Sequence, residues 1–291
     1  MAYTGETAYI TGGASGIGRM LATTFTKKGM KVFLADQNVK LAEEAANELN
    51  TTAGSTVAWA VEIHAEDWDS QRVGFEAAVK QLGRIDYVLA VAGVYEQPWL
   101  PNRVNSATFE KPNLLTLDVN ATGQLYTSAL AIQQFRRQQP NQHGFRGKIV
   151  IVASGAGFYT IPAMPIYCTS KNVAVGFVRS QGKLLIDEQI TLNAICPGIM
   201  RTAISTGDFH DQAEKKGLLV APETLVEAFE SLLGASKTFA EAVEVLPSGS
   251  FIKPRAAYTN DKSRESVEMT IERTLQAKAA ALAKAAAAGK A

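Results

Sequence analysis

The run Thr11-Gly12-Gly13-Ala14-Ser15-Gly16-Ile17-Gly18, set between an apolar strand and an amphipathic helix, constrains this chain more than any other stretch. Residues 7–11 read as a strand and 16–28 as a helix that ends at Gly29. The loop between them must turn through positive φ, let backbone approach a ligand, and pack a helix closely on a sheet. Glycine meets those demands without steric cost. The helix start then offers free N–H groups and the positive end of its dipole, which suits a pyrophosphate. Glycine also serves plain tight turns, so the pattern gains weight only from its strand–loop–helix setting. In that setting Gly12, Ser15, Gly16, Ile17 and Gly18 are expected to hold a dinucleotide.

The rest of the chain repeats the alternation. Strands are expected at 31–35, 56–63, 85–91, 148–153, 190–195 and 242–246, and helices at 39–50, 67–82, 114–138, 165–187, 202–216 and 222–234. Such alternation predicts an α/β fold, a doubly wound parallel sheet with helices on both faces. With 291 residues the chain could hold two domains, but one α/β domain also runs this long. The expected organisation is a single Rossmann-like domain over 1–262 with an integral substrate site. An Ala/Lys-rich tail over 263–291 would be helical or disordered, with high helix propensity and a thin apolar face.

Asp36 directly follows the second strand, where a carboxylate can accept both ribose hydroxyls of NAD. It would repel a 2′-phosphate by about 1 kcal/mol in water and about 4 kcal/mol at an effective dielectric near 20. An acidic turn residue is the plainer alternative. Tyr167 and Lys171 stand at i and i+4, on one face of a helix. A free tyrosine, with pKa of about 10, is a poor base at neutral pH, and a lysine about 4 Å away would lower it by up to about three units. Any helix can carry such a pair by chance. Ser154, however, follows a buried strand, where α/β sites are lined. Asn120 lies inside an expected helix, a place asparagine disfavours unless it faces solvent or holds a water in a buried site.

Taken together, TGGASGIG at 11–18, Asn120 in DVNATG, Ser154 thirteen residues before Tyr167, YCTSK at 167–171 and CPGIMRT at 196–202 resemble the short-chain dehydrogenase/reductase family, from Glu6 to about Gly249. The resemblance implies a sheet of about seven strands. It implies Tyr167 as acid/base, Lys171 lowering its pKa and binding the nicotinamide ribose, Ser154 positioning the substrate oxygen, and Asn120 supporting a relay water. It also implies cofactor contacts from Ala92 and Gly93, from Pro197, Gly198, Ile199 and Thr202, and, beside the adenine, from Glu62 and Ile63. YCTSKNVAVGFVRS and LNAICPGIMRTAI are most similar to the 15-hydroxyprostaglandin dehydrogenase-like, NAD-dependent branch. Two departures stand out: the family's NNAG is Ala90-Val91-Ala92-Gly93 here, and that branch's Gln three residues before the tyrosine is Met164.

The expected activity is NAD-dependent interconversion of a secondary alcohol and a ketone on an apolar metabolite, lipid-like or polycyclic, within secondary metabolism. Non-redox isomerisation or elimination on the same fold, and a silent cofactor-binding scaffold, remain alternatives. Phe158, Tyr159, Met164, Met200 and Phe209 are candidates for the substrate pocket by position, though each could equally be core. The long 94–112 connection would form one wall. The formal charge of +1 offers no field for nucleic acid. No apolar run is long enough to span a membrane, and Met1 to Glu6 lack the features of a signal peptide, so a cytoplasmic protein is expected. Cys168 and Cys196 are expected to be unbridged and buried, and His64, His143 and His210 to be surface or loop residues with no metal spacing. A homodimer or homotetramer is expected, paired through the helices at 114–138 and 165–187. Leu125, Leu130, Ile132, Phe135, Val175, Phe177 and Val178 are the candidate contacts.

Overall fold

The first strand, β1 (Thr7–Thr11), is buried at every position, the signature of a strand covered on both faces. The computed structural model describes residues 2–101, 105, 107–202, 204–205 and 207–288. In chain order the first half runs β1, α1 (Gly16–Lys27), β2 (Lys31–Asp36), α2 (Val39–Ala53), β3 (Ala58–Glu62), α3 (Trp68–Leu82) and β4 (Tyr87–Ala90). Then come α4 (Leu115–Leu117), a π-helical turn (Asp118–Gly123), α5 (Gln124–Arg136), β5 (Gly147–Val152), α6 (Pro165–Leu185), β6 (Ile190–Pro197), α7 (Gly207–Lys215), α8 (Pro222–Glu230), β7 (Ala242–Leu246), β8 (Gly249–Ile252) and α9 (Asp261–Ala288).

Local signals explain the helix ends. The Asn38 side chain accepts from Leu41 N to start α2, which stops at Gly54 in the left-handed region. Asp67 caps α3 through Ser70 N at 2.7 Å, and Gly83, φ 73°, ends it. The strands form one sheet in the order β3-β2-β1-β4-β5-β6-β7-β8. All pairings are parallel except β7 with β8. The order reverses between β1 and β4, and the crevice at the carboxyl ends of strands flanking such a switch point is where ligands bind in open α/β sheets. Two apolar cores fill the opposite faces. One gathers Leu21, Phe25, Leu34 and Phe229; the other gathers Tyr9, Phe75, Phe135 and Val178.

The seven parallel strands expected are present as β1 to β7, and an eighth, β8, is added where the turn after Leu246 folds it back, antiparallel, on β7. Several expectations need correction. The single long helix expected over 114–138 is interrupted by the π turn, whose wider hydrogen-bond pitch no side-chain periodicity announces. The helix expected from 202 begins at Gly207; Ala203 and Thr206 lie outside the described residues, as do 102–104 and 106 of the 94–112 connection and 289–291 of the tail. Leu130, Ile132, Phe135, Val175 and Val178, offered as contacts with a second copy, are buried within this chain, and Phe177 packs on the same core. Those helix faces cover the chain's own sheet. His210, expected at the surface, is buried in α7 with its Nε2 2.7 Å from Ser205 Oγ. Both cysteines are free and buried. The chain divides into two compact units, Met1–Lys253 and Pro254–Ala291. Among the described residues no helix is long and apolar enough to cross a membrane, and no group of three or more His, Cys, Asp or Glu could hold a metal.

Candidate active site

The carboxyl ends of β1, β2, β4, β5 and β6 open on one cavity of about 780 Å3. At its first wall the β1–α1 loop carries Gly12 with φ 65° and Gly16 with φ 50°. A Cβ on Gly12 would stand 3.0 Å from the Ala92 backbone, and one on Gly18 2.1 Å from Gly12 O. The loop glycines therefore let two strand ends and a helix meet. Ser15, at the N-cap of α1, makes no side-chain capping bond, so the first N–H groups remain available to an anion. This cradle and the cavity volume fit a dinucleotide. Gly12, Ser15, Gly16 and Ile17 line the cavity. Gly18 does not; it is buried beneath the loop and acts through packing.

At the end of β2 Asp36 lines the cavity and accepts two backbone hydrogen bonds, from Ala14 N at 3.1 Å and Asn38 N at 3.0 Å. The carboxylate is thereby held against the glycine loop. Ile63 lines the same end, but Glu62 does not. It projects to solvent beside His64, and Ala65 and Glu66 take the place expected of it. Alternation at the end of β3 separates Glu62 from Ile63, because neighbouring side chains of a strand leave on opposite faces, and the turn after β3 brings up Ala65 and Glu66. Ala92, Gly93, Pro197, Gly198, Ile199 and Thr202 all line the cavity.

Ser154, Tyr167 and Lys171 converge on the middle. Ser154 follows β5 in an extended conformation, its hydroxyl accepting from Ala156 N at 3.1 Å. Its side chain lies close enough to the Tyr167 phenol to favour the phenolate. Tyr167 and Lys171 come from the first two turns of α6, which starts with Pro165. The Lys171 ammonium is buried, donates to Val152 O at 2.9 Å, and lies 5.5 Å from the centre of the Tyr167 ring. Burial pushes its pKa down to about 8. The Tyr167 phenol moves opposite to expectation: burial raises its pKa, Tyr95 and Cys168 add to the rise, and the Ser154 hydroxyl opposes it. Desolvation of the phenolate outweighs a lysine whose own charge is discouraged. Cys196 lies under the same floor as a neutral thiol, pushed up by burial to about 12.

Asn120 belongs to the π turn and does not line the cavity. It is wholly buried and its amide is fully engaged. Its Oδ1 accepts from Val94 N at 2.7 Å, while its Nδ2 donates to Val94 O at 2.8 Å and Ser170 Oγ at 3.3 Å. Ser170 Oγ in turn donates to Tyr167 O at 2.7 Å. The side chain ties the connection after β4 to α6.

Of the substrate candidates, Tyr159, Met164, Met200 and Phe209 line the cavity. Phe158 does not; it packs on the core with Arg179 and Lys253 over its ring. Tyr95, Gln97 and Ile161 are wall residues that sequence reasoning did not single out. Tyr95 and Gln97 lie in the 94–112 connection, and that position was their only signal.

A model of the short chain dehydrogenase family matches residues 6–213. Among curated proteins, a short-chain dehydrogenase/reductase prx4 of Penicillium rubens is 30% identical over 224 residues, 76% of this chain and 63% of its own length. The chain thus spans under two thirds of that relative. The 15-hydroxyprostaglandin dehydrogenase [NAD(+)] of Homo sapiens is 31% identical over 202 residues, 69% of this chain and 70% of its own. Among solved structures, a short-chain type dehydrogenase/reductase from Mycobacterium marinum superposes with a TM-score of 0.71 at 24% identity, covering 84% of this chain and 96% of that one. That likeness shows the fold alone.

Proposed function

The chain belongs to the short-chain dehydrogenase family of oxidoreductases, and on that premise we propose that it interconverts a secondary alcohol and a ketone on an apolar metabolite with NAD(H). The observation that carries the reading is the convergence of Ser154, Tyr167 and buried Lys171 on one cavity whose far end is a glycine cradle beside Asp36.

In the oxidative direction Ser154 and Tyr167 share the substrate hydroxyl. The Tyr167 phenolate takes its proton, the carbinol C–H electrons leave as hydride, and the carbon becomes a carbonyl. The nicotinamide, when bound, supplies the hydride acceptor. Lys171 steadies the phenolate and would hold the ribose, while Asn120, behind the wall, ties the connection after β4 to α6. In reduction the neutral phenol that burial favours is already the required acid.

Asp36 supports NAD over NADP, since a 2′-phosphate would meet a carboxylate pinned in place by two backbone N–H groups. The relative from Homo sapiens carries NAD(+) in its name. An apolar substrate is supported by Tyr95, Tyr159, Ile161, Met164, Met200 and Phe209 around the Tyr167 end. The charged residues among those described as lining the cavity are Asp36, Glu66 and Lys171, and the two acids follow β2 and β3, at the adenosine end. The test is NADH absorbance against a panel of secondary alcohols and apolar ketones, with Tyr167→Phe as the paired control. Turnover of an alcohol or ketone without stoichiometric change in NADH would move the chain to a non-redox use of the fold. Activity with NADPH alone would overturn the part assigned to Asp36.

A further inference from the structure

Helix α6 lacks a cap of its own. Met164 occupies the N-cap and makes no side-chain cap bond, and Pro165 at the next position has no N–H to give. The N–H groups of Ile166 and Tyr167 nevertheless have an acceptor. Both donate to the carboxylate of Glu96, Ile166 N to Oε1 at 3.3 Å and Tyr167 N to Oε2 at 2.5 Å. Glu96 lies about 70 residues earlier, in the connection after β4, and is half-buried. A capping carboxylate normally comes from the residue just before its helix, so this one joins two separate walls of the cavity.

The bond is one of a series. Val94 is tied both ways to Asn120. Tyr95 O accepts from Thr116 Oγ1 at 2.9 Å, the Tyr95 hydroxyl donates to Met164 Sδ at 3.3 Å, and the Tyr95 and Tyr167 rings lie 5.8 Å apart. Tyr95 and Gln97, the neighbours of Glu96, line the cavity. Residues 94–97 thus form a strap whose wall position relative to the Tyr167 phenol depends on what Glu96 holds.

We propose that Glu96 is a positioning residue: its carboxylate clamps the strap to the first turn of α6 and so fixes the Tyr167 phenol against the substrate wall. This rests on Tyr167 being the acid/base. The carboxylate touches no reacting atom. It acts through the backbone of Tyr167, where a displacement near 1 Å can cost about 100-fold in rate. Asn120 and Ser170 hold the same backbone from the other side, through Tyr167 O.

The test compares Glu96→Ala and Glu96→Gln with the parent chain. Amide exchange of Ile166 and Tyr167 is measured by NMR without cofactor, beside steady-state kinetics and NADH titration by fluorescence. In Glu96→Ala the two amides should exchange at least about tenfold faster, and kcat should fall about tenfold or more, while NADH affinity stays within about twofold, because the glycine cradle is untouched. Glu96→Gln keeps the volume and one acceptor oxygen and should recover part of both losses. It carries the test alone if the alanine variant does not fold. Unchanged exchange at both amides, or faster exchange with native kcat, overturns the proposal. So does a fall in NADH affinity that accounts for the lost activity. Tyr167→Phe run alongside separates the two readings: if it turns over normally, the acid/base assignment fails, whereas a dead Tyr167→Phe beside a native-rate Glu96→Ala removes only the clamp.

Discussion

Tyr167 and Lys171 sit in a site that disfavours both of their charges, and that sets what each substitution should do. Tyr167→Phe deletes one hydroxyl with little change in packing. Positioned acid–base catalysis contributes about 100- to 10,000-fold, so kcat should fall at least about 100-fold while fluorescence titration still shows NADH binding. Oxidation should quicken toward alkaline pH, where the buried phenol gives up its proton more readily, and reduction should quicken toward lower pH. Lys171 has a stability signature as well. Its amine titrates at about 8 in the folded chain against the usual 10.5, and Lys148, also buried, behaves alike. Between those values the unfolded chain binds more protons, so stability should rise with pH from about 8 and show no such gain below it. Above pH 10 the rise should reverse, because burial holds the Tyr9 and Tyr87 phenols protonated. Lys171→Met should lose its share of that rise in denaturation curves, along with turnover and cofactor affinity. A Lys171→Met curve parallel to the parent's would mean that the amine is not the buried group responsible. Asp36→Ala combined with Gln37→Arg should move preference toward NADP in competitive titrations, since it exchanges a repulsive carboxylate for a phosphate partner.

At the scale of elements, the α1 start and the π turn do the positioning. A methyl on Gly18 would overlap Gly12 O at 2.1 Å, and backbone cannot yield as a side-chain tip can. Gly18→Ala should therefore lift α1 off the loop, cost about 1–3 kcal/mol in urea unfolding, and weaken NADH binding more than turnover at saturation. A Cβ on Gly13 would meet its nearest neighbours at 3.0–3.1 Å, a milder clash, so Gly13→Ala should be the better tolerated. The π turn widens the helix where Asn120 must reach Val94 and Ser170 together. Helix periodicity around 114–138 is ordinary on both sides of it, so a single continuous helix is what the pattern alone supports.

For the whole molecule, every described residue lining the cavity lies within the Met1–Lys253 unit. A chain ending at Lys253 should bind NADH with an affinity within about threefold of the full chain, well under 1 kcal/mol. A larger loss in calorimetry would give the Pro254–Ala291 unit a part in the site. We further propose a homodimer or homotetramer. Since the apolar residues expected at its interface, Leu125 apart, are spent on this chain's own core, the surface left on α5 and α6 includes the half-buried or exposed positions Leu125, Ala129, Val173 and Gly176. Sedimentation at micromolar concentration should give a multiple of 31.2 kDa, and a single-chain mass would count against it.

The sequence by itself determined the parts whose cause is local. Strand and helix periods, the glycines at 12, 16 and 18, Asp36 closing β2, and Tyr167 four residues before Lys171 on one helix all depend on neighbours a few positions away. Those signals were enough for the doubly wound sheet and for the Tyr167–Lys171 pair, and the resemblance of the motifs to a family added Ser154 to them. What only the tertiary structure decided depends on residues far apart meeting. Desolvation raised Tyr167 instead of Lys171 lowering it, because burial is a property of the assembled site. Glu62 turned outward at the end of β3 while Ile63 faced the cavity, and Phe158 fell to the core while Tyr159 lined the cavity. The Glu96 carboxylate meets the amides of Ile166 and Tyr167 only because the fold brings the connection after β4 to the start of α6. Spacing along a chain reports a helix face or a strand face; it carries no record of which two faces the fold will press together.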